Sequence, residues 1–306
     1  MSVELVPVVL SLAVLWVTGA AAAGWDGLLA ARADGGSAPQ GVLAPVAETA
    51  RLLRQRRRST LAADRALWRI GGAGLVVAPL WMIAVVPLGP PPVLDSAAGV
   101  VWFNAADVLV WAMVWLLGWG ANSFYSLVAA YRFLASALAY ELPLMFALTT
   151  PSVAAGSLRM TDIVTAQQGW WYVVWMPVAF VIVCVGVIGF SVWGPLSPAV
   201  GRDLAGGVLV ELSGPDRLLV QAGRYLLLVA GSAFVAAVFL GGGNGPLLPA
   251  WVWMAVKTTV LLAGLVAARR RVPLLRPDRF LEIGWLVLLP AALVQLLVVA
   301  VVVVSR

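Results

Sequence analysis

Apolar residues form eight long runs along the chain, and most polar residues lie between these runs. Runs of about 20 apolar residues match the thickness of the hydrocarbon core of a bilayer. The runs are continuous and do not alternate in segments of about ten residues, which argues against a transmembrane β-barrel. The pattern therefore predicts an all-α integral membrane protein with about eight transmembrane helices, at 3–23, 70–88, 97–118, 133–157, 171–193, 225–241, 250–268 and 282–304.

Three of these spans have features of their own. The first, 3–23, has the length of a signal peptide but lacks a basic segment before its apolar run, so we expect an uncleaved helix. Glu141, Pro143 and Pro151 interrupt the fourth span, and the glycine-rich turn 241–245 shortens the sixth.

Two long polar connections, 24–69 and 194–224, separate the spans on one side of the membrane. Within the first, residues 41–58 have the pattern of an amphipathic helix, with apolar side chains on one side and arginines elsewhere: Val42, Val46, Leu52 and Leu53. Such a helix lies in the membrane interface, although the arginines of 54–58 also fit a simple topological anchor. No repeat divides the chain, so we predict a single membrane domain over 1–306 that includes both connections.

The arginines predict the orientation, because connections rich in Arg and Lys stay on the cytoplasmic side. Of the 19 arginines, 17 belong to the odd-numbered connections: Arg32, Arg51, Arg54, Arg56, Arg57, Arg58, Arg65, Arg69, Arg132, Arg202, Arg217, Arg224, Arg269, Arg270, Arg271, Arg276 and Arg279. Only Arg159 and Arg306 fall on the opposite side. We therefore expect cytoplasmic arginine-rich loops and both termini outside.

The composition excludes several kinds of chemistry. Charged residues make up 11% of the chain, against about a quarter in soluble proteins. Histidine is absent and Cys184 is the only cysteine, which excludes a Ser-His-Asp triad, a Cys/His zinc site and a disulfide framework. One cysteine cannot ligate an iron–sulfur cluster and no histidine is available for haem, so we expect no redox cofactor on this chain.

Charged residues inside a membrane are costly and are therefore candidates for function. Asp107, Glu141 and Lys257 lie within the third, fourth and seventh spans. Glu141 precedes Pro143, which removes a helix N–H and opens the helix to water or to another side chain. A carboxyl group there is a candidate proton carrier. Lys257, the only lysine, suits the same role because a buried ammonium group loses its proton more readily than a guanidinium.

Simpler interpretations of the same residues remain open at this point. Glu141 can pair with an arginine such as Arg132, and Lys257 can extend to the membrane interface. Asp107 can cap a polar seam with Asn104.

Most of the 15 tryptophans fall at predicted span ends, where aromatic belts are expected. We interpret them as interfacial anchors: Trp102, Trp119, Trp170, Trp171, Trp251 and Trp253.

Short motifs along most of the chain resemble one family, complex I subunit 1, which is the H-type membrane subunit of bacterial NADH-quinone oxidoreductases. Residues 118–127 (GWGANSFYSL), Arg132 and 140–143 (YELP) resemble its GW-x-x-N-S-x-Y-x-L…R…YE-x-P stretch. The segment 41–48 (GVLAPVAE) resembles its interfacial helix. Further matches follow in order, at 156–158, 162–164, 211–214, 257–258 and 276–290.

The resemblance implies a bacterial inner-membrane subunit that joins a peripheral redox arm to a membrane arm. It implies quinone as substrate, NADH and iron–sulfur clusters on partner subunits, and other complex I-like subunits as partners. For the proton path, the candidates are Glu141, Lys257 and Asp107. For the quinone chamber and its coupling, the candidates are Arg132, Asp203, Glu211 and Glu48.

The chain departs from the family most clearly in the fifth connection. Segment 190–207 keeps Pro195 and Leu204, but nearly all the carboxylates of the family's E-T-N-R-x-P-F-D-x-P-E-A-E stretch are missing. This loss leaves other functions open. One is the homologous membrane subunit of an energy-converting hydrogenase or formate hydrogenlyase-like complex, and another is a non-catalytic anchor in such a complex. A stand-alone permease is disfavoured because the sequence shows no paired halves.

Overall fold

The computed structural model describes residues 5–305, apart from the side chains of residues 5, 6 and 202. The described chain is all-α. A π-helix, Gly284–Leu288, joins the last two α-helices. The α-helices are α1 Leu5–Ala33, α2 Ala38–Arg54, α3 Arg65–Ile83, α4 Gly99–Gly120, α5 Phe124–Ala155, α6 Met160–Thr165, α7 Tyr172–Trp175, α8 Pro177–Phe190, α9 Gly214–Phe239, α10 Ala250–Arg271, α11 Pro277–Ile283 and α12 Leu289–Val304.

Seven helical segments in the described residues are long and apolar enough to cross a membrane. The last of them runs continuously through α11, the π-helix and α12. The predicted fifth span, 171–193, is broken: α7 ends at Trp175, Met176 leaves helical geometry, and Pro177 begins the 14-residue α8. The all-α membrane fold is thus confirmed, and positions 3 and 4 of the first predicted span lie outside the described residues, as does Arg306.

Several predicted boundaries were wrong in the same direction, because hydropathy detects the apolar part of a helix and not its polar end. Helix α1 continues ten residues beyond position 23, to Ala33, and α9 begins at Gly214 and not at 225. Helix α5 begins at Phe124 and runs without a break past Glu141 and both of its prolines. The connections 24–69 and 194–224 are therefore much shorter as loops than the sequence suggested.

The predicted interfacial helix exists as α2, but it ends at Arg54 where residue 58 was expected. The backbone becomes extended at Gln55, so the following arginines are not helical. Leu52 is buried, whereas Val42, Val46 and Leu53 remain exposed. The prediction that all four side chains lie on one side of the helix was therefore wrong for Leu52. The helix lies against α1 and α9, with its other apolar side chains turned away from the protein.

Helix α9 is the centre of one half of the molecule. Every residue from Leu226 to Phe239 is buried, and α1, α2, α3, α8 and α10 pack around it. Glycine permits the closest approach: a Cβ atom at Gly223 would lie 2.6 Å from the carbonyl oxygen of Leu75 in α3. Small residues at helix contacts are the usual means of tight packing in membranes.

Helix α5 has the same position in the other half, in contact with α4, α8, α11 and α12. Pro143 has no N–H to donate to the carbonyl of Ala139 one turn earlier. At that carbonyl the π-helix passes very close, since a Cβ atom at Gly284 would lie 2.4 Å from the Ala139 oxygen. The π-helix of the last span therefore lies beside the turn of α5 in which Pro143 cannot donate a backbone hydrogen bond.

Candidate functional site: a buried acid pair and its polar surroundings

Two carboxyl groups meet inside the membrane-spanning part of the protein. Asp107 lies at the middle of α4 and is fully buried, and Glu141 on α5 is 7% exposed. The two side chains are close enough to interact directly. The amide of Asn104, one turn before Asp107, donates a hydrogen bond of 2.9 Å to Oε1 of Glu141.

Several polar atoms of this cluster have no hydrogen-bond partner among the described residues. They are both carboxyl oxygens of Asp107, Oε2 of Glu141, the hydroxyl of Tyr140 and the indole N–H of Trp111. Buried polar atoms normally have a partner, and exceptions mark water sites or chemical roles. The arrangement can hold a proton between two acids, with further donors and acceptors nearby to pass it on.

One simpler interpretation of the acids was wrong. Arg132 does not pair with Glu141, because its guanidinium lies 2.7 Å from the carboxylate of Asp203. Asn104 does lie one turn from Asp107 in the same polar cluster, and its amide is bonded to Glu141.

The first third of α5 holds the acid-poor loop between α8 and α9. This loop contains a series of four short 3-10 turns between Gly194 and Leu209. Asp203 pairs with Arg132, and Glu211 accepts a hydrogen bond of 2.8 Å from the hydroxyl of Ser123, the residue before α5. Arg132 precedes Glu141 by nine residues, about 14 Å along the helix axis. Helix α5 therefore links the loop directly to the acid pair.

Lys257 is in a different environment from the acids. Its ammonium group donates to the carbonyl oxygens of Leu240, Gly242 and Asn244, at 2.6, 2.8 and 2.7 Å. The rings of Trp171 and Trp253 lie 4.2 and 5.5 Å from the nitrogen. These two tryptophans, predicted to be membrane anchors, cover a lysine. The ammonium group caps the end of α9 and the turn after it.

Glu48, the candidate on α2, lies at the protein surface. Its carboxylate accepts hydrogen bonds of 2.7 and 2.6 Å from the guanidinium of Arg51, one turn later. These bonds, together with the nearby charge of Arg217, lower the pKa of Glu48. The pair is separate from the buried acids.

A third charged cluster was missed by sequence reasoning. Asp26, in the C-terminal third of α1, is buried and lies 2.6 Å from Arg269 and 3.2 Å from Arg270, both on α10. The hydroxyl of Tyr225 on α9 lies 3.2 Å from the same carboxylate. Because the first span was predicted to end at position 23, Asp26 was assigned to a polar loop. The available signal was that Asp26 follows Trp25 within a helix that continues to Ala33.

The ring of Trp193 completes this cluster. It lies between Arg269 and the buried Arg224, whose guanidinium carbons are 5.0 and 5.5 Å from the ring centroid. Arg224 also donates two hydrogen bonds to the carbonyl of Val192, where the acid-poor loop begins. Helices α1, α9 and α10 are thus joined to the loop through a network of charges.

The fold and the buried acids define a multi-span α-helical membrane protein with a polar centre between α4 and α5. Within the described residues, no three His, Cys, Asp or Glu side chains lie together as metal ligands. The sequence model of the family described as NADH dehydrogenase matches residues 4–300, and the chain belongs to this family.

Similar individual proteins support the same family assignment. The chain is 34% identical over 271 residues to the NADH-quinone oxidoreductase H subunit numbered 2 in Geobacter sulfurreducens, covering 85% of this chain and 82% of the relative. It is 34% identical, with the same coverage, to the H subunit numbered 1 in Geobacter metallireducens. It is 33% identical to the H subunit numbered 2 in Rhodopseudomonas palustris, covering 88% of this chain and 85% of that relative. The homologues are membrane subunits of a bacterial oxidoreductase complex, which supports an inner-membrane location.

Proposed function

We propose that this chain is the membrane subunit of a complex I-like NADH-quinone oxidoreductase, where it helps to form the quinone chamber and begins the proton path. Membership of the family supports this assignment. The single observation that carries it is the placement of Asp107 and Glu141 in one polar cluster that is buried between two membrane-spanning helices. A purely structural subunit has no need of such a pair, since buried acids without partners are destabilising.

In this proposal the acid pair holds a proton and passes it on. Asn104 orients Glu141 through its amide, and the hydroxyl of Tyr140 lies in the same buried cluster. Only its position within a span supports Lys257 as a candidate for proton transfer. Its three N–H groups are all bonded to carbonyl oxygens, which favours a structural role, so the path we propose consists of the acids alone.

The proposed coupling runs from the quinone chamber through the loop to α5. The chamber wall would consist of α1, α2, α9 and the loop 191–213, which are in contact with one another or joined by the Asp26 cluster. Asp203 and Glu211 connect the loop to Arg132 and Ser123, so that a movement of the loop is transmitted to α5. Glu48 lies on the chamber's outer helix, α2. We place the arginine-rich loops in the cytoplasm, where the subunits that carry NADH and iron–sulfur chemistry would bind.

The test is Glu141→Gln in the assembled complex, reconstituted in liposomes. We expect proton pumping coupled to quinone reduction to fall at least tenfold, because an amide cannot take up and release the proton; general acid–base groups typically contribute about 100-fold or more. Glu282→Gln is the matched control, since Glu282 forms an exposed pair with Arg279 at 2.8 Å. Unchanged quinone reduction together with unchanged pumping in Glu141→Gln would remove this residue from the path.

The acid-poor loop supports one second candidate, the homologous membrane subunit of an energy-converting hydrogenase-like complex. Both acids of the loop are engaged in contacts with α5 or Ser123, so few carboxylates remain for a proton network there. Proteins that copurify in mild detergent decide between the two. Subunits for NADH oxidation support the first function, and a large subunit with a nickel site supports the second.

A further inference from the structure

A cavity of about 180 Å³ lies on the arginine-rich side of the membrane, where the segment after α2 meets the first turns of α3 and α9. It is far larger than the roughly 30 Å³ that one water occupies, so it can hold a group of the size of a phosphate. Its wall includes four arginines, one tryptophan and one acid: Arg57, Arg58, Arg65, Arg69, Trp68 and Asp216.

The charge of this wall is not balanced. Asp216 is its only acid, and it lies 3.5 Å from Arg57. Arg58, Arg65 and Arg69 have no carboxylate within ion-pair distance among the side chains that the structure describes. Three like charges around one cavity repel each other, and an anion between them removes that repulsion.

The neutral groups of the wall also suit an anion with oxygen acceptors. Trp68 lies in the wall and is 7% exposed, but its indole nitrogen is covered by protein atoms and does not face the cavity. The hydroxyl of Ser59 lies at the same wall, 3.5 Å from the guanidinium of Arg65. Arginine presents planar pairs of donors that match the oxygens of a phosphate.

The surface beside the cavity distinguishes a lipid from a free anion. Arg69 is followed on one exposed face of α3 by Ala73 and Val77, at the spacing of successive helical turns. Ile70 and Val77 are each 52% exposed. An apolar stripe thus begins at the arginines and runs along α3 toward the membrane interior, as the acyl chain of a lipid would.

We propose that this cavity binds the phosphate headgroup of an anionic phospholipid, with its acyl chain lying along Ile70, Ala73 and Val77 of α3. The inference is independent of the proposed proton path, since it uses none of the same residues. The arginines supply the charge, the hydroxyl of Ser59 supplies a neutral donor, and the exposed face of α3 supplies the contact for the chain.

Native mass spectrometry of the full-length protein in mild non-ionic detergent tests the proposal. Phosphatidylglycerol, phosphatidylcholine and inorganic phosphate are titrated separately. We expect selective binding of phosphatidylglycerol, with affinity about fivefold weaker for each arginine removed and therefore roughly 25-fold weaker in Arg58→Gln/Arg69→Gln. The matched control is Arg276→Gln/Arg279→Gln, which removes the same charge from two exposed ion pairs on the same side.

Ser59→Ala removes one hydroxyl from the wall and changes no charge. We expect it to weaken phosphatidylglycerol binding several-fold while the protein stays folded, so this variant tests the site even if the double arginine variant is unstable. Equal binding of phosphatidylcholine, equal loss in the control variant, or unchanged binding in Ser59→Ala would overturn the proposal. Binding of inorganic phosphate without any preference for the lipid would overturn it as well, and would leave a free-anion site.

Discussion

Lys257 and the pair of Asp107 and Glu141 are all ionisable groups inside membrane-spanning helices, but their surroundings are opposite. Each N–H of Lys257 has a carbonyl acceptor, and two indole rings cover the charge. In the acid pair, three of the four carboxyl oxygens have no partner in the described part of the chain. A shared sequence signal, a charge at spanning depth, therefore corresponds to two different local structures.

Structural and functional charges in a membrane differ in whether their hydrogen bonds are complete. A charge whose hydrogen bonds are all made is held in one state, because losing its proton would leave acceptors unpaired. A charge with unpaired atoms is less tightly held and can exchange a proton with a neighbour. By this criterion Lys257 stabilises the end of α9, and the acid pair is the part of the protein suited to proton transfer.

The largest expected effect comes from Lys257→Met. Methionine has a similar length, but it leaves three carbonyl oxygens, one buried and two partly buried, without this donor. We expect a loss of about 2–4 kcal/mol in the free energy of unfolding, because hydrogen bonds to a charged group are strong and unpaired buried acceptors are costly. The measurement is SDS-induced unfolding of the full chain in mixed micelles.

Arg271→Met is the control for that experiment, since Arg271 is an exposed cation at the opposite end of the same helix. Its effect should stay within about 0.5 kcal/mol, as for most surface substitutions. If Lys257→Met destabilised the protein no more than the control, Lys257 would not be the structural charge that distinguishes it from the acid pair.

Asp107→Asn should change stability in the opposite direction. Its amide can donate to the carboxyl of Glu141 and removes one ionisable group from the buried site. Replacing buried ionic groups by neutral ones is often stabilising, so we expect a gain of about 1–2 kcal/mol in the free energy of unfolding.

The same unfolding measurement applies, with Asp278→Asn as the control at an exposed acid. A loss of about 2 kcal/mol or more in Asp107→Asn, on the scale of a broken buried pair, would show that Asp107 is a structural group like Lys257. The two regions would then no longer differ.

The sequence was sufficient for the fold class and for the identity of the buried acids Asp107 and Glu141. Runs of apolar residues show where the membrane lies, and a carboxyl group within such a run is visible without any structure. Placing Asp107 and Glu141 together needed the packing of α4 against α5, which no local pattern encodes. Tertiary contacts likewise decided the partners of Glu141 and Arg132, which are Asn104 for the acid and Asp203 for the arginine.

Other features had no usable signal in one sequence. The carbonyl oxygens around Lys257 belong to the backbone, so residue types do not reveal them. Asp26 was hidden because α1 continues beyond the apolar run that predicted it. The π-helix at Gly284 depends on its close approach to Ala139, which is again a contact between distant parts of the chain.

The surface ion pair of Glu48 and Arg51 should have the smallest effect on stability. Hydrogen bonds from Arg51 lower the pKa of Glu48 below that of the unfolded chain. A carboxyl group with a lowered pKa contributes stability above its unfolded pKa, and that contribution is lost as the pH falls through the folded value. Acidification should therefore weaken α2 slightly in the wild type but not in Glu48→Gln, and the two should become equally stable once Glu48 is protonated. Because the pair is exposed, the effect should be the smallest of the three. Unfolding curves at a series of acidic pH values measure it, and a wild type that became more stable than Glu48→Gln on acidification would contradict the sign.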